Sequence, residues 1–256
     1  MRKSFLIIGS VSFIFFVAAT LFVTSKLKRY YKEQGLGVTS FVMEPMGELS
    51  APALELFKYI GNLEEPVINN KKIKLLTKRL LNLPMIESGF IKKRRSTLVI
   101  GYQLRTPLFI LEDYENIGID KEGFLFPLYP FYAVQKRVKL LLGCKFQQAP
   151  LGIAIDDVKF QKVLQLYPHL SLPDESLLRL ELIDVSLIDA MSLGSRKIVV
   201  HYLWNDAQVV VTFLEGQEGA VVDKVLTLVQ SLNEPTSHLE IDLRIEGQAY
   251  ITREIK

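Results

Sequence analysis

Residues 69–105 read NNKKIKLLTKRLLNLPMIESGFIKKRRSTLVIGYQLR, and the hydrophobic period changes partway along. Ile73, Leu76, Leu80 and Leu83 recur at helical spacing, which predicts a helix from about Asn69 to Asn82. Its other face carries Lys71, Lys74 and Lys78 and reads as solvated. Pro84 stops the helix, and from Phe90 the period falls to two. Phe90 to Arg94 predicts a strand, Arg94-Arg95-Ser96 a basic turn, and Thr97 to Arg105 a second strand with Leu98, Ile100, Tyr102 and Leu104 on one face.

Upstream, Val38 to Met43 predicts a strand. Ser50 is a helix N-cap with Pro52 in the first turn, and Ala53, Leu56, Phe57 and Ile60 follow at helical spacing up to Gly61. The order strand, helix, helix, strand, strand makes one α+β module of residues 38–108. Beyond Pro107 the chain is β-rich. Short strands are predicted at 109–111, 117–120 and 123–126, then at 139–142, 178–185, 197–202 and 208–213, with a closing strand from His238 to Arg253. Two helices interrupt them, one from about Asp156 with Phe160, Val163, Leu164 and Tyr167, the other with Val222, Val225, Leu226, Val229 and Leu232.

At the start of the chain, 22 residues between Lys3 and Lys26 carry no charge. As a helix they reach ~33 Å, enough for a hydrocarbon core of ~30 Å. Val17-Ala18-Ala19 would suit cleavage of a secretory signal, but the apolar run continues through Leu21-Phe22-Val23, which favours a retained anchor. Two basic residues precede the run, and Lys26, Lys28, Arg29 and Lys32 follow it, a bias that by itself places the bulk in the cytoplasm.

The net charge of +3 hints at nucleic acid until its residues are located. Residues 1–32 hold six of the 31 basic side chains and no acidic one, leaving 25 basic against 28 acidic in the rest. That slightly acidic remainder has no footprint for DNA or RNA, whereas the basic cluster after the apolar run suits lipid head groups. Cys144 is alone, so no intrachain disulfide forms.

Catalytic patterns are missing. His169, His201 and His238 have no metal-ligand spacing, and neither a nucleophile elbow nor a phosphate-binding loop occurs. The acidic pairs Glu112-Asp113 and Asp156-Asp157 read as caps or turns. The expectation is a protein that is not an enzyme, with no cofactor, no metal site and no small-molecule substrate.

Three segments carry a family resemblance. Leu83-Pro84-Met85-Ile86, Thr97-Leu98-Val99-Ile100 and Arg105-Thr106-Pro107 come first. Ile119-Asp120-Lys121-Glu122-Gly123-Phe124-Leu125-Phe126 follows, and Leu239-Glu240-Ile241-Asp242-Leu243-Arg244 lies near the end. Their order resembles the bacterial division family FtsQ, called DivIB in some lineages. There, similar stretches close a POTRA domain, open the following β-domain and form the terminal strand. Leu104 stands where the family has glutamate before the arginine, and Ile245 where it often has an aromatic.

The resemblance implies an α+β protein with an N-terminal transmembrane helix, a POTRA domain of order β-α-α-β-β and a β-rich domain with flanking helices. The expected boundaries are a cytoplasmic tail at 1–4, a span at 5–25, a linker at 26–37, the POTRA domain at 38–108 and the β-domain at 109–256. It further implies a single-pass inner-membrane scaffold, N-terminus cytoplasmic and bulk periplasmic, enriched at the septum. Such a scaffold binds FtsB- and FtsL-like proteins by strand addition at its C-terminal edge and supports septal peptidoglycan synthesis. Carried over, the partner-binding residues are Leu243, Arg244, Ile245, Gly247, Ala249 and Tyr250, with Lys92, Lys93, Arg94 and Arg95 as a possible POTRA contact. Gly247 is read as a bulge or a close backbone approach. The alternative is an anchored POTRA scaffold of a secretion or pilus-assembly system.

Overall fold

The computed structural model describes residues 40–47, 56, 60, 68–132, 138–146, 150–172, 175–232 and 236–255. The chain is α+β and divides into two compact units, the first running to Gln103 and the second starting at Leu104 apart from the short stretch Leu49–Ala51.

In the first unit, β1 (Ser40–Pro45), β2 (Ile86–Arg94) and β3 (Thr97–Leu104) form a sheet of order β1-β3-β2, with β1 parallel to β3. Between β1 and β2 lies α1 (Asn70–Leu81), capped by Asn69, whose side chain accepts from the Lys72 N–H at 2.9 Å. Leu76 and Leu80 are its buried residues. Leu80 lies so close to Gly89 that a Cβ there would stand 2.9 Å from its Cδ2, so glycine admits the helix to β2. On β3 a Cβ at Gly101 would sit 2.4 Å from the Phe90 ring. Leu98, Ile100, Tyr102 and Leu104, placed on one face of β3, are all buried, and Val99 and Gly101 between them are buried too. Leu56 and Ile60 are helical and buried, while most of the helix expected around them lies outside the described residues.

The second unit is built on one nine-stranded mixed sheet, of order β12-β11-β10-β9-β8-β7-β4-β5-β6. Its strands are β4 (Phe109–Leu111), β5 (Ile117–Ile119), β6 (Leu125–Pro127), β7 (Lys139–Leu142), β8 (Arg179–Asp184), β9 (Ile198–Trp204), β10 (Ala207–Phe213), β11 (Thr236–Asp242) and β12 (Tyr250–Ile255). Parallel neighbours need a crossover, and helices provide it for two of the three parallel pairs in this sheet. α2 (Val158–Leu170) links β7 to its parallel neighbour β8, and α3 (Val221–Ser231) links β10 to β11. Asp157 caps α2 by accepting from the Phe160 N–H at 2.9 Å. Pro168 falls in its last turn on the exposed side, where the break costs least.

The core lies on one face of this sheet, where Phe160, Val163, Leu166, Val225 and Val229 from the helices pack with Tyr202, Val209 and Val211 from the strands. Tyr202 donates to the Leu170 carbonyl at 3.0 Å, tying β9 to the end of α2. Arg105 and Asp120 meet at 2.9 Å, with the guanidinium 3.7 Å over the Phe124 ring. One Asp120 oxygen also accepts from the Glu122 and Phe124 N–H groups. The segments 105–107 and 119–126, quoted separately above, are thus joined by one ion pair.

The expected transmembrane helix is withdrawn. Among the described residues the longest helix has 13 residues, ~20 Å at the usual rise, and none is long and apolar enough to cross a membrane. The run at 5–25, on which the single-pass inner-membrane placement and the lipid contact rested, lies outside the described residues. The tail at 1–4 and the linker at 26–37 lie outside them too.

Candidate binding edge

The chain expected to close as one strand from His238 to Arg253 instead folds back as a hairpin. β12 pairs antiparallel with β11 from Asp242↔Tyr250 to Thr236↔Ile255. The reversal occurs at Ile245-Glu246-Gly247-Gln248, where Gln248 N–H donates to the Ile245 carbonyl at 3.1 Å and Gly247 takes φ +74°. A positive φ at the third turn position is the requirement that glycine meets without steric cost. The expected bulge or close approach at Gly247 is corrected, because nothing lies within 4 Å of a Cβ built there.

The six carried-over residues sit together in this hairpin but do different work. Leu243 is buried, and its N–H donates to the Thr212 carbonyl at 2.8 Å, extending the β10 pairing by one residue. Arg244 grips Asp242 with two nitrogens, Nε to Oδ1 at 3.0 Å and Nη2 to Oδ2 at 2.7 Å, and this pairing holds the Asp242 carboxyl below its ordinary range. Nη1 of Arg244 reaches the Gly194 carbonyl at 3.5 Å. Ile245 and Tyr250 are more than half exposed, and the Tyr250 hydroxyl donates to Gln248 Oε1 at 2.9 Å. Ala249 is exposed just before β12.

β12 is the last strand of the sheet order, with a ladder neighbour on one side, and residues 250–254 are all exposed. Beside its start a groove of about 380 Å³ opens between the hairpin and α3. Leu243, Gly247, Gln248 and Ala249 form one wall; Lys224, Thr227 and Leu228 form the other. The α3 side was missed because Leu228 lies off the Val222, Val225 and Val229 stripe that marks the helix's core face. Its signal was an apolar residue on an otherwise polar helix face.

Lys92, Lys93 and Arg94 lie at the end of β2, and Arg95 starts the turn to β3 at φ +54°. Lys92 Nζ stands 4.3 Å over the Phe90 ring. Basic side chains on an edge strand resist pairing with another strand, so the two edges differ in character.

Cys144 is buried, and burial, reinforced by the Asp157 charge, pushes its thiol up to about 12, far from a thiolate nucleophile at neutral pH. Among the described residues no three His, Cys, Asp or Glu side chains are grouped to hold a metal. The chain matches no protein-family model, and comparison with curated proteins gives no match either.

Proposed function

We propose that this protein is a non-enzymatic scaffold of the bacterial division machinery. It takes an extended segment of an FtsB- or FtsL-like partner as a further strand on β12 and so supports septal peptidoglycan synthesis. The observation that carries the reading is the exposed outer edge of β12, next to an apolar groove.

The energetics say what the partner must bring. Six edge residues present three outward positions, hence about six backbone hydrogen bonds at ~0.5–1.5 kcal/mol net each. That sum is comparable to the ~4–15 kcal/mol lost in translational and rotational freedom on association. Backbone pairing alone therefore binds weakly, and a side chain seated beside Leu228 and Leu243 adds ~1.5–3 kcal/mol of burial. Strand addition gives the register; the groove gives selectivity.

Amide hydrogen exchange resolved by residue tests this. On adding the soluble part of an FtsB-like protein, alternate amides of Tyr250 to Ile255 are expected to gain protection, since only every second N–H faces outward. Uniform protection of the hairpin, or none, contradicts strand addition.

A further inference from the structure

The helices cover one face of the nine-stranded sheet, and the other face carries an apolar band of its own. Strand alternation sets it out: core residues Leu141, Ile183, Val200 and Val209 point one way, and their neighbours point the other. The registers align Ile110, Leu140, Leu182, His201, Val210 and Glu240 in one row across β4, β7, β8, β9, β10 and β11. The four apolar members are half-buried and stand apart from the core, and beyond Ile110 the same row runs into Gly118 and Phe126, which are buried and close that end. Val199 and Leu203 widen the band on either side of His201.

These are interior strands, so their ladder bonds are taken and a partner can be read only through side chains. A helix, whose backbone is also satisfied internally, suits such a face, as α2 and α3 do on the other side. The charge on this face is acidic. Asp184 flanks the band, Glu240 ends the row, and Glu254 lies opposite His238 on the next strand. Glu240 lies 3.3 Å from His238 Nε2, and the arginines on this face, Arg179 and Arg244, are held by Glu181 and Asp242.

We infer that the sheet face opposite α2 and α3 docks an amphipathic helix of a partner protein, its apolar ridge on Leu182 and Val210 and its basic residues over Glu240 and Glu254. From Leu140 to Val210 the row crosses three strand spacings, ~14 Å, which a helix of ~10 residues spans. The site is separate from the β12 edge and uses no free backbone group.

The test uses two synthetic helical peptides of about 18 residues with the same leucine face, one flanked by Lys and one by Glu, titrated by fluorescence anisotropy into the full chain. The Lys peptide is expected to bind at least about tenfold more tightly than the Glu peptide, and Glu240→Lys to abolish that preference. Leu182→Glu should remove binding, while Ala249→Pro, at the other site, should leave it unchanged. Equal affinities for both peptides, or a Lys peptide indifferent to Glu240→Lys, overturn the inference. So does sedimentation showing a dimer of the wild-type chain that Leu182→Glu dissociates, because a second copy then occupies the face.

Discussion

Replacing Asp120 by Ala should destabilise the second unit by about 4 kcal/mol. Asp120 is 6 % exposed, and its partner Arg105 has a side chain 12 % exposed. Removing the carboxylate takes the nearest counter-charge from a nearly buried guanidinium, a loss of ~3–5 kcal/mol when one member of a buried pair goes. Two backbone N–H groups, of Glu122 and Phe124, lose their acceptor as well, at ~1 kcal/mol each where water cannot replace it. Against this, Arg105 keeps the Phe124 ring at 3.7 Å and Glu122 Oε2 at 3.9 Å, which brings the total to the lower end, about 4 kcal/mol. Asp120→Asn retains an oxygen for the two N–H groups but not the charge, and should cost about half as much, ~2 kcal/mol. The single tryptophan, Trp204, lies on β9, so its fluorescence reports urea unfolding of this unit. The cycle with Arg105→Ala should show coupling above ~1.5 kcal/mol. Additive single effects, or a loss below ~1 kcal/mol for Asp120→Ala, would falsify the claim that this pair holds the start of the second unit together.

Other substitutions test the backbone, the sheet face and the edge. Gly143→Ala at φ +95° brings a Cβ to 2.3 Å from Ser186 N, so a loss of ~3 kcal/mol or more in thermal unfolding is expected, whereas Gly216→Ala at φ +93° meets nothing within 4 Å and should cost only ~1 kcal/mol. His201 has its pKa lowered from 6.5 chiefly by burial, with Asp184 raising it and His238 lowering it further. The unfolded chain then binds more protons, so stability is full above pH 6.5 and falls as pH drops through the folded value. Denaturant midpoints measured across pH 5–8 should show that slope (a range set by about where histidine titrates), and His201→Gln should flatten it. Ala249→Pro should weaken binding of an FtsB-like partner in a titration while the circular dichroism spectrum stays normal; unchanged affinity with a normal spectrum counts against the edge.

Where a residue's role depends on its own segment, the sequence was readable. Asn69 capping a helix with Leu76 and Leu80 inside follows from local chemistry, and so does the Arg95-Ser96 turn after β2. Burial on the second face of β3 did not, because it depends on side chains from elsewhere, such as the Phe90 ring against Gly101. The hairpin before β12 was signalled by Glu246-Gly247-Gln248, but a positive φ serves a bulge as well as a turn, and only pairing with β11 separates the two. Arg105 and Asp120 lie 15 residues apart and join only when β4 and β5 pair between them. The apolar band around Leu182 and Val210 was hidden for a related reason: its residues belong to strands read one at a time, and the row exists only once six strands are in register. At the candidate site, the segment 243–250 was legible as a unit, while the α3 wall of the groove came from a distant part of the chain.

The central claim is that β12 is where a partner strand adds, and a photoreactive residue at Tyr250 in living cells tests it most directly. Tyr250 opens β12 and is 57 % exposed, so an added strand must pass within reach. The account expects crosslinks to an FtsB- or FtsL-like division protein. Crosslinks only to secretion components, or none from a correctly folded protein, would contradict it.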